Sequence, residues 1–245
     1  MNRIENIDFC IRYLIQQNKV EAKIPATLAE KQRFLRALSN IWEPQPLSDE
    51  FLAAQDAELQ AQLTDKGVVE KVGKLWQGDI TRLQVDAIVN AANSQGLGCW
   101  HPLHACIDNA IHSAAGLQLR QQCNDILQGG MIATGEAIIT PGYNLPCKHV
   151  IHTVGPIIPD GIPTSLQEEQ LAACYRACLR LAEMNGCHSI AFCCISTGEF
   201  RFPNSRAAEI AINTVKQSHY NTIKVVFNVF KDIDYDIYSK LLGKN

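Results

Sequence analysis

The sequence lacks long apolar runs and an excess of positive charge. No stretch approaches the roughly 18 consecutive apolar residues that a membrane-spanning helix needs, and charged and amide side chains interrupt residues 1–17, unlike a secretory signal. The 22 basic residues face 25 acidic ones, which gives a formal net charge of -3. We therefore expect a cytoplasmic protein that binds neither a membrane nor a nucleic-acid backbone.

Disulfide bonds are not expected either, although the chain contains 10 cysteines. Disulfide frameworks are typical of short exported domains, whereas this chain has 245 residues and no export signal. Cys193 and Cys194 are adjacent in an apolar run and are interpreted as strand residues on opposite faces. We expect most of the cysteines to be small buried apolar side chains.

Hydrophobic periodicity divides the chain in two. Up to residue 67, apolar residues recur at helical spacing, and Ser48 followed by Asp49 and Glu50 is typical of a helix start. From residue 68, short apolar runs rich in β-branched residues alternate with helical segments. The runs are 68–76, 85–89, 137–140, 150–154, 189–195 and 223–229, and the predicted helices are 105–115, 117–127, 167–184 and 206–217. This order predicts an α/β fold with a sheet sandwiched between helices (68–245), preceded by an N-terminal helical extension (1–67).

Two loops at predicted strand ends combine amides, hydroxyls and glycine. Open α/β sheets bind ligands at the carboxyl ends of their strands. Asn90 and Asn93 follow one strand, and their side chains can bond ribose hydroxyls. Residues 196–200 follow another strand and can present backbone N–H groups to a diphosphate, with Phe200 and Phe202 as a stacking wall. Taken alone, each loop, like the Asp79 turn, is equally explained as an ordinary turn.

The segment after Gly98 is rich in side chains that bind metals. Cys99, His101, His104 and Cys106 fall within one short stretch, and thiolate and imidazole are preferred ligands of zinc. No second Cys/His pair follows at zinc-finger spacing. A set of three ligands indicates a catalytic zinc with one open position. Buried thiols beside a surface histidine are the alternative.

Five segments taken together resemble the macrodomain family. They are Gly78–Thr81, Val85–Asn93, Ile111–Gly116, Val150–Pro156 and Ile195–Gly198. The resemblance, which extends from about residue 68 to the C-terminus, implies a mixed β-sheet between helices and a cleft that binds ADP-ribose.

The resemblance also implies which residues contact ADP-ribose. Asp79 would bond the adenine amine, Asn90 and Asn93 would face the distal ribose, and the backbone of 196–200 would hold the diphosphate. The implied binding residues are Asp79, Ile80, Asn90, Asn93, Gly98, Ser196, Thr197, Gly198, Glu199 and Phe200. Arg201 stands where many macrodomains have glycine, so its side chain could narrow the pocket or cover the diphosphate.

The metal-rich segment resembles the zinc-containing branch of macrodomains. That branch's pattern matches Cys99, His104 and Cys106 as Zn²⁺ ligands, while His101 falls at a position that the branch does not fix. The N-terminal extension and Thr140–Pro146 are also similar to this branch.

The activity implied by the resemblance is zinc-dependent hydrolysis that removes mono-ADP-ribose from modified proteins. Asp108 would orient the attacking water, with Asn93 as a second catalytic side chain. Zinc would act as a Lewis acid or lower the pKa of bound water. His112 and His152 are predicted to be packed core histidines.

Two alternative roles for this protein stay open. A non-catalytic reader would bind ADP-ribose or the modified protein without cutting it, and a structural zinc would take a fourth protein ligand such as Cys123 or Asp108. By resemblance, the expected partners are a mono-ADP-ribosylated protein and a sirtuin-like ADP-ribosyltransferase. We take the protein to be a monomer.

Overall fold

Three helices open the computed structural model, which describes residues 2–243. They are α1 (Arg3–Gln17), α2 (Leu28–Asn40) and α3 (Asp49–Lys66). They share a buried apolar core that includes Trp42 and Phe51, and Leu117 from the later part of the chain also packs into it. The predicted start of α3 is confirmed, because the Ser48 side chain accepts a hydrogen bond from the Phe51 N–H at 3.2 Å.

A mixed six-stranded sheet forms the centre of the remaining chain. Its strands are β1 (Leu75–Gln77), β2 (Ala87–Ala91), β3 (Ala137–Pro141), β4 (His149–Thr153), β5 (Ser189–Phe192) and β6 (Lys224–Val229). The order across the sheet is β1-β6-β5-β2-β4-β3, and only β3 is antiparallel to its neighbour among the described strands. The parallel strands therefore end at a common edge, where the predicted ligand loops begin.

Helices cover both faces of this sheet. After a 3₁₀ turn (Ile80–Arg82), they are α4 (Ile107–Ala115), α5 (Leu117–Leu127), α6 (Ser165–Met184), α7 (Asn204–Gln217) and α8 (Asp232–Leu242). α4 and α5 pack together on one face, where α2 of the extension contacts α4, and α6, α7 and α8 pack side by side. The predicted α/β sheet between helices is confirmed. Within residues 2–243, no helix is long and apolar enough to cross a membrane.

Several predicted element bounds were wrong. The run 68–76 is a strand only at Leu75–Gln77, with an isolated bridge from Val69 to Leu83, because charged residues and glycine separate the two. The run 189–195 leaves the sheet after Phe192, since the chain then turns into the ligand loop. Helix α8 was not predicted.

Cysteine burial follows the prediction. All 10 cysteines are free, and most are buried. The prediction that Cys193 and Cys194 lie in a strand was wrong, because β5 ends at Phe192 and both follow it; Cys193 is buried and Cys194 half-buried. The division at residue 67 falls in the turn after α3. The division of the chain into two domains stays a prediction. Residues 1 and 245, the outer bounds of the two predicted domains, lie outside the described residues.

Candidate functional site

A cavity of about 1020 Å³ opens at the carboxyl ends of the central parallel strands. Its walls come from the loops after β2, β5 and β6, from the start of α4, and from the inner faces of α2 and α3. Most of the predicted site residues line it: Asp79, Ile80, Asn93, Cys99, His104, Cys106, Asp108, Ser196, Thr197, Gly198, Glu199 and Phe200. The structure therefore brings together residues that are far apart in the sequence.

Asp79 begins the 3₁₀ turn at one end of the cavity. Its Oδ1 atom accepts hydrogen bonds from the Thr81 N–H at 3.0 Å and the Thr81 hydroxyl at 2.6 Å, as in an ordinary capping turn. Its Oδ2 atom lies 3.8 Å from Lys66 Nζ of α3. One carboxylate oxygen thus shapes the turn, while the other remains accessible to a ligand.

Residues 196–200 form the loop predicted to hold a diphosphate. Among residues 2–243, the backbone N–H groups of Ser196, Gly198, Glu199 and Phe200 donate to no other protein group. Ser196 has a φ of 65°, and its buried hydroxyl likewise has no partner in the described chain. Unpaired N–H groups at a strand-to-helix turn attract anions. The loop has the donors that a diphosphate requires.

The flanks of this loop differ from expectation. Arg201 adopts a φ of 57°, a left-handed conformation that glycine adopts without strain, and its exposed side chain does not line the cavity. Phe202 was wrongly assigned to a stacking wall, because it is 1% exposed and belongs to the main core. Phe200 does line the cavity.

Asp108 lies in the first turn of α4 and is held by two amides. Its Oδ1 accepts a hydrogen bond from Asn90 Nδ2 at 2.7 Å, and its Oδ2 accepts one from Asn93 Nδ2 at 3.3 Å. Burial raises the pKa of Asp108 to about 6, although the Asn90 hydrogen bond and the charge of Arg120 oppose that shift. The carboxylate is oriented towards the cavity and cannot rotate freely.

Asn90 and Gly98 do not line the cavity. Asn90 is fully buried behind Asp108, where its Nδ2 atom also lies 3.1 Å from His152 Nδ1. Gly98 (φ 82°) accepts a hydrogen bond from Asn93 Nδ2 at 3.0 Å, and a Cβ there would lie 2.8 Å from the His112 ring. Both residues therefore support Asn93 and Asp108 from behind rather than forming the wall.

The predicted burial of two histidines is confirmed. His152 is fully buried and His112 is 5% exposed. Burial lowers the pKa of His152 to about 3 and that of His112 well below its ordinary value. His112 Nε2 lies 3.5 Å from Asp108 Oδ1 and closes the back of the site.

Cys99, His104 and Cys106 converge beside this carboxylate. Their ligand atoms all lie within 4.8 Å of one another, and Cys99 Sγ is 3.6 Å from His104 Nδ1. Within the described chain this group has three members; Cys123 instead lies in a buried group with His112 and His152. His101 is exposed and outside the set. Three soft ligands at a cavity wall are typical of a metal site with an open position.

The donors at this group suit a cation. Burial raises the pKa of the Cys106 thiol to about 12, while the Asn109 N–H that donates to its Sγ opposes the shift. A bound cation would reverse that balance and hold the sulfur as a thiolate. On the far side, His104 Nε2 lies 3.6 Å from Glu199 Oε1, so the second ring nitrogen faces a carboxylate, as in many metal-ligating histidines.

Several cavity residues were missed by the sequence analysis. Phe230 and Lys231 follow β6, whose carboxyl end lies at the same edge as those of β2 and β5, so the rule used for the other loops also indicates this one. Gln32, Arg36 and Lys66 line the cavity from the extension. No local pattern marks them, because only the packing of α2 and α3 brings them there.

Comparison with known proteins places this architecture in a family. The Macro domain family model matches residues 89–211. A relative from Treponema medium, named Protein-ADP-ribose hydrolase, is 48% identical over 99% of this chain and 100% of its own length. A Fusarium oxysporum f. sp. cubense relative, named Probable bifunctional ADP-ribose hydrolase/ADP-ribosyltransferase, is 49% identical over 69% of this chain and 31% of its own. The crystal structure of a Trypanosoma brucei macrodomain in complex with ADP-ribose is similar with a TM-score of 0.62 and 31% identity, over 81% of this chain and 92% of that one. The chain belongs to the macro domain family.

Proposed function

We propose that this protein hydrolyses the bond between mono-ADP-ribose and a modified protein. The observation that carries the proposal is the position of the Asp108 carboxylate, held by Asn90 and Asn93 in the cavity wall beside the Cys99–His104–Cys106 group. The name of the Treponema medium relative, which aligns over its full length, supports the same activity.

The ligand extends along the cavity from Asp79 to Asp108. Asp79 Oδ2 bonds the adenine amine, with Ile80 in the wall beside it. The N–H groups of Ser196, Gly198, Glu199 and Phe200 bind the diphosphate. The distal ribose then lies against Asn93, and its anomeric carbon faces Asp108. The ADP-ribose complex of the related Trypanosoma brucei macrodomain supports this choice of ligand.

Asp108 orients the attacking water and accepts its proton. The water oxygen bonds to the anomeric carbon as the bond from that carbon to the protein side chain breaks. The departing side chain keeps the bonding electron pair and takes up a proton from solvent, and Asp108 then returns the water's proton to solvent. Positive charge develops on the sugar in this step, and the adjacent carboxylate stabilises it. Asn93 fixes the position of that carboxylate and leaves its own carbonyl oxygen bonded to the Gln95 N–H at 3.0 Å.

We assign zinc to Cys99, His104 and Cys106. The donor set fits this ion, since the ligand atoms of two thiols and one imidazole lie within 4.8 Å of one another at the cavity wall. When bound, zinc supplies Lewis acidity towards a ribose or leaving-group oxygen. The protein's own part is to present the ligands on the same wall as Asp108.

The natural substrate is supplied by a transferase of opposite activity. A hydrolase that removes mono-ADP-ribose acts only after another enzyme has attached the group. The Fusarium relative, whose name joins hydrolase and ADP-ribosyltransferase, supports a functional link between the two activities.

The test is release of free ADP-ribose from a mono-ADP-ribosylated protein. Untreated protein, protein stripped with a chelator and stripped protein with zinc restored are compared. Release that stops on stripping and returns with zinc is the expected result. Release that persists after stripping would contradict a catalytic role for zinc. Tight ADP-ribose binding without release from any sample, tested over ester and O-glycosidic linkages, would instead identify a reader.

A further inference from the structure

The loop that carries the metal group, residues 99–106, has little backbone structure of its own. Among residues 2–243, its only internal backbone hydrogen bond joins the His104 N–H to the His101 carbonyl at 3.2 Å. Leu103 adopts a φ of 59°, a left-handed conformation that costs a side-chain-bearing residue energy. Such a loop does not hold three ligands in place by itself, so other parts of the chain must fix it.

Arg36 of α2 contacts this loop from the N-terminal extension. Its Nη2 atom donates to the His104 carbonyl at 3.2 Å, and its Nε and Nη2 atoms donate to Asn109 Oδ1 at 2.9 and 2.6 Å. Asn109 Nδ2 in turn donates to the His101 carbonyl at 3.0 Å. The guanidinium thus fixes the loop directly at the metal ligand His104 and, through Asn109, at His101 three residues earlier.

The end of α2 makes one further direct contact with the loop and a second one through Arg120 of α5. Asn40 Oδ1 accepts a hydrogen bond from the strained Leu103 N–H at 2.9 Å. Arg120 Nη1 donates to the Trp42 carbonyl at 2.7 Å and the Asn40 carbonyl at 3.0 Å, while its guanidinium lies 4.2 Å from the Trp100 ring centroid. These contacts therefore fix the metal loop, residues 99–106, against the segment from α2 to Trp42.

We propose that helix α2 of the N-terminal extension is the scaffold of the metal loop, with Arg36 as its positioning residue. Arg36 acts through the His104 backbone and through Asn109 rather than on the metal or the sugar. The inference deepens the proposed function, since it assigns the extension a role at the same site. Residues that hold metal ligands in place through hydrogen bonds are typically worth about 10- to 100-fold in metal affinity.

The experiment compares Arg36→Ala and Arg36→Lys with Arg12→Ala in the full chain. Arg12 is an exposed arginine on α1 and serves as the matched control. Zinc affinity is measured by competition with a chromophoric chelator, and alkylation of Cys99 in metal-free protein is followed by mass spectrometry. We expect Arg36→Ala to weaken zinc binding about 10- to 100-fold and to speed Cys99 alkylation, with no change in Arg12→Ala.

The lysine variant keeps the positive charge and the stem but loses the fork. Its zinc affinity and its rate of Cys99 alkylation should lie between those of wild type and Arg36→Ala. If the alanine variant does not fold, the lysine variant alone tests the scaffold role. Zinc affinity and alkylation rates of both variants equal to the control would overturn the scaffold role. Neither readout depends on turnover, so a protein that binds zinc in an Arg36-dependent way but releases no ADP-ribose would refute the proposed hydrolysis and leave the scaffold intact.

Discussion

Asn93 Nδ2 lies 3.3 Å from Asp108 Oδ2, although the two residues belong to the loop after β2 and to the start of α4. The same Nδ2 atom bonds the Gly98 carbonyl at 3.0 Å. The side chain thereby ties the glycine turn to the first turn of the helix, so the carboxylate and the segment before the metal loop are positioned as one unit. Changes at Asp108 should act on chemistry more than on ADP-ribose binding, whereas Asn93 also lines the cavity against the distal ribose.

The first prediction concerns Asp108→Asn. This variant keeps the shape of the side chain but cannot accept a proton from water, and one of its atoms becomes a donor facing Asn90 or Asn93. Release of ADP-ribose from modified protein should slow by about 10²- to 10⁴-fold, the usual worth of a positioned acid or base. Calorimetry should find ADP-ribose affinity within about threefold of wild type, because binding depends on Asp79 and the diphosphate loop.

Asp125→Asn is the matched control for that variant, because Asp125 is exposed on α5 and outside the cavity. It should hydrolyse at the wild-type rate. An Asp108→Asn protein that kept full activity would show that the attacking water is oriented by another group.

The second prediction concerns Cys99→Ser. A hydroxyl is a poorer zinc ligand than a thiolate, so zinc content per chain should fall and ADP-ribose release should fall with it. Metal analysis after gel filtration measures the zinc content, and the release assay measures the hydrolysis of modified protein. Cys187→Ser is the control, since Cys187 is buried at the opposite end of β5 and does not line the cavity. Equal zinc content in both variants would place the metal elsewhere.

The sequence predicted the loops of this site better than the direction of individual side chains. Strand ends could be located from apolar runs, and the residues after them do line the cavity. Asn90 was assigned to the ribose, but it pairs in register with His152 on β4 and points into the sheet's buried face. Cross-strand register is a property of the assembled sheet, so the sequence around Asn90 could not reveal this.

The role of the extension was beyond sequence reasoning for a similar reason. Its helices were predicted from periodicity and capping, but Arg36 looks like any surface arginine until α2 packs against α4. Helix α8 is different, because Ile233, Ile237 and Leu241 recur at intervals of four and acids occupy its first turn. Those signals are present in the sequence and indicate a helix.

The third prediction concerns the acid stability of the fold. Asp86 lies before β2 and accepts hydrogen bonds from Lys148 Nζ, the His188 N–H and the Ser189 hydroxyl. Burial acts to raise the pKa of Asp86, but these bonds outweigh it and lower the pKa to about 2. A carboxyl with a lowered pKa stabilises the fold above the pKa of the unfolded chain, near 4, by about 2 kcal/mol, and loses this as pH falls towards 2.

Asp86→Asn should therefore lower the free energy of unfolding by about 2 kcal/mol at pH 7, and the difference should shrink to about half at pH 3. Urea titrations at pH 7, 5, 4 and 3 measure this difference in the free energy of unfolding between the variant and wild type. Asp236→Asn, an exposed position on α8, serves as the control and should match wild type at each pH. A constant difference between Asp86→Asn and wild type across this range would mean that ionisation of Asp86 does not contribute.

The fourth prediction tests the diphosphate loop through Gly155, which follows β4. A Cβ at this position would lie 2.0 Å from Ser196 Oγ and 2.8 Å from Ile195 Cγ2, so the first residue of the loop would have to move. Overpacking of this kind costs about 1–3 kcal/mol. This overpacking can be relieved in two ways. The diphosphate loop can shift, which would misplace its N–H groups, or other parts of the fold can move instead.

The loop residues Gly198 and Glu199 are exposed, whereas the strands beneath them are buried. We therefore expect the loop, rather than the strands, to shift. Gly155→Ala should then weaken ADP-ribose binding about tenfold, one tenfold step corresponding to 1.4 kcal/mol. Gly73→Ala is the control, since its Cβ would meet only the Leu75 carbonyl oxygen at 3.9 Å and Gly73 does not line the cavity. Calorimetry and thermal unfolding together separate the two responses: lost affinity with a small change in Tm means that the loop moved. Unchanged affinity with a lowered Tm would mean that the N–H groups of 196–200 keep their positions independently of Gly155.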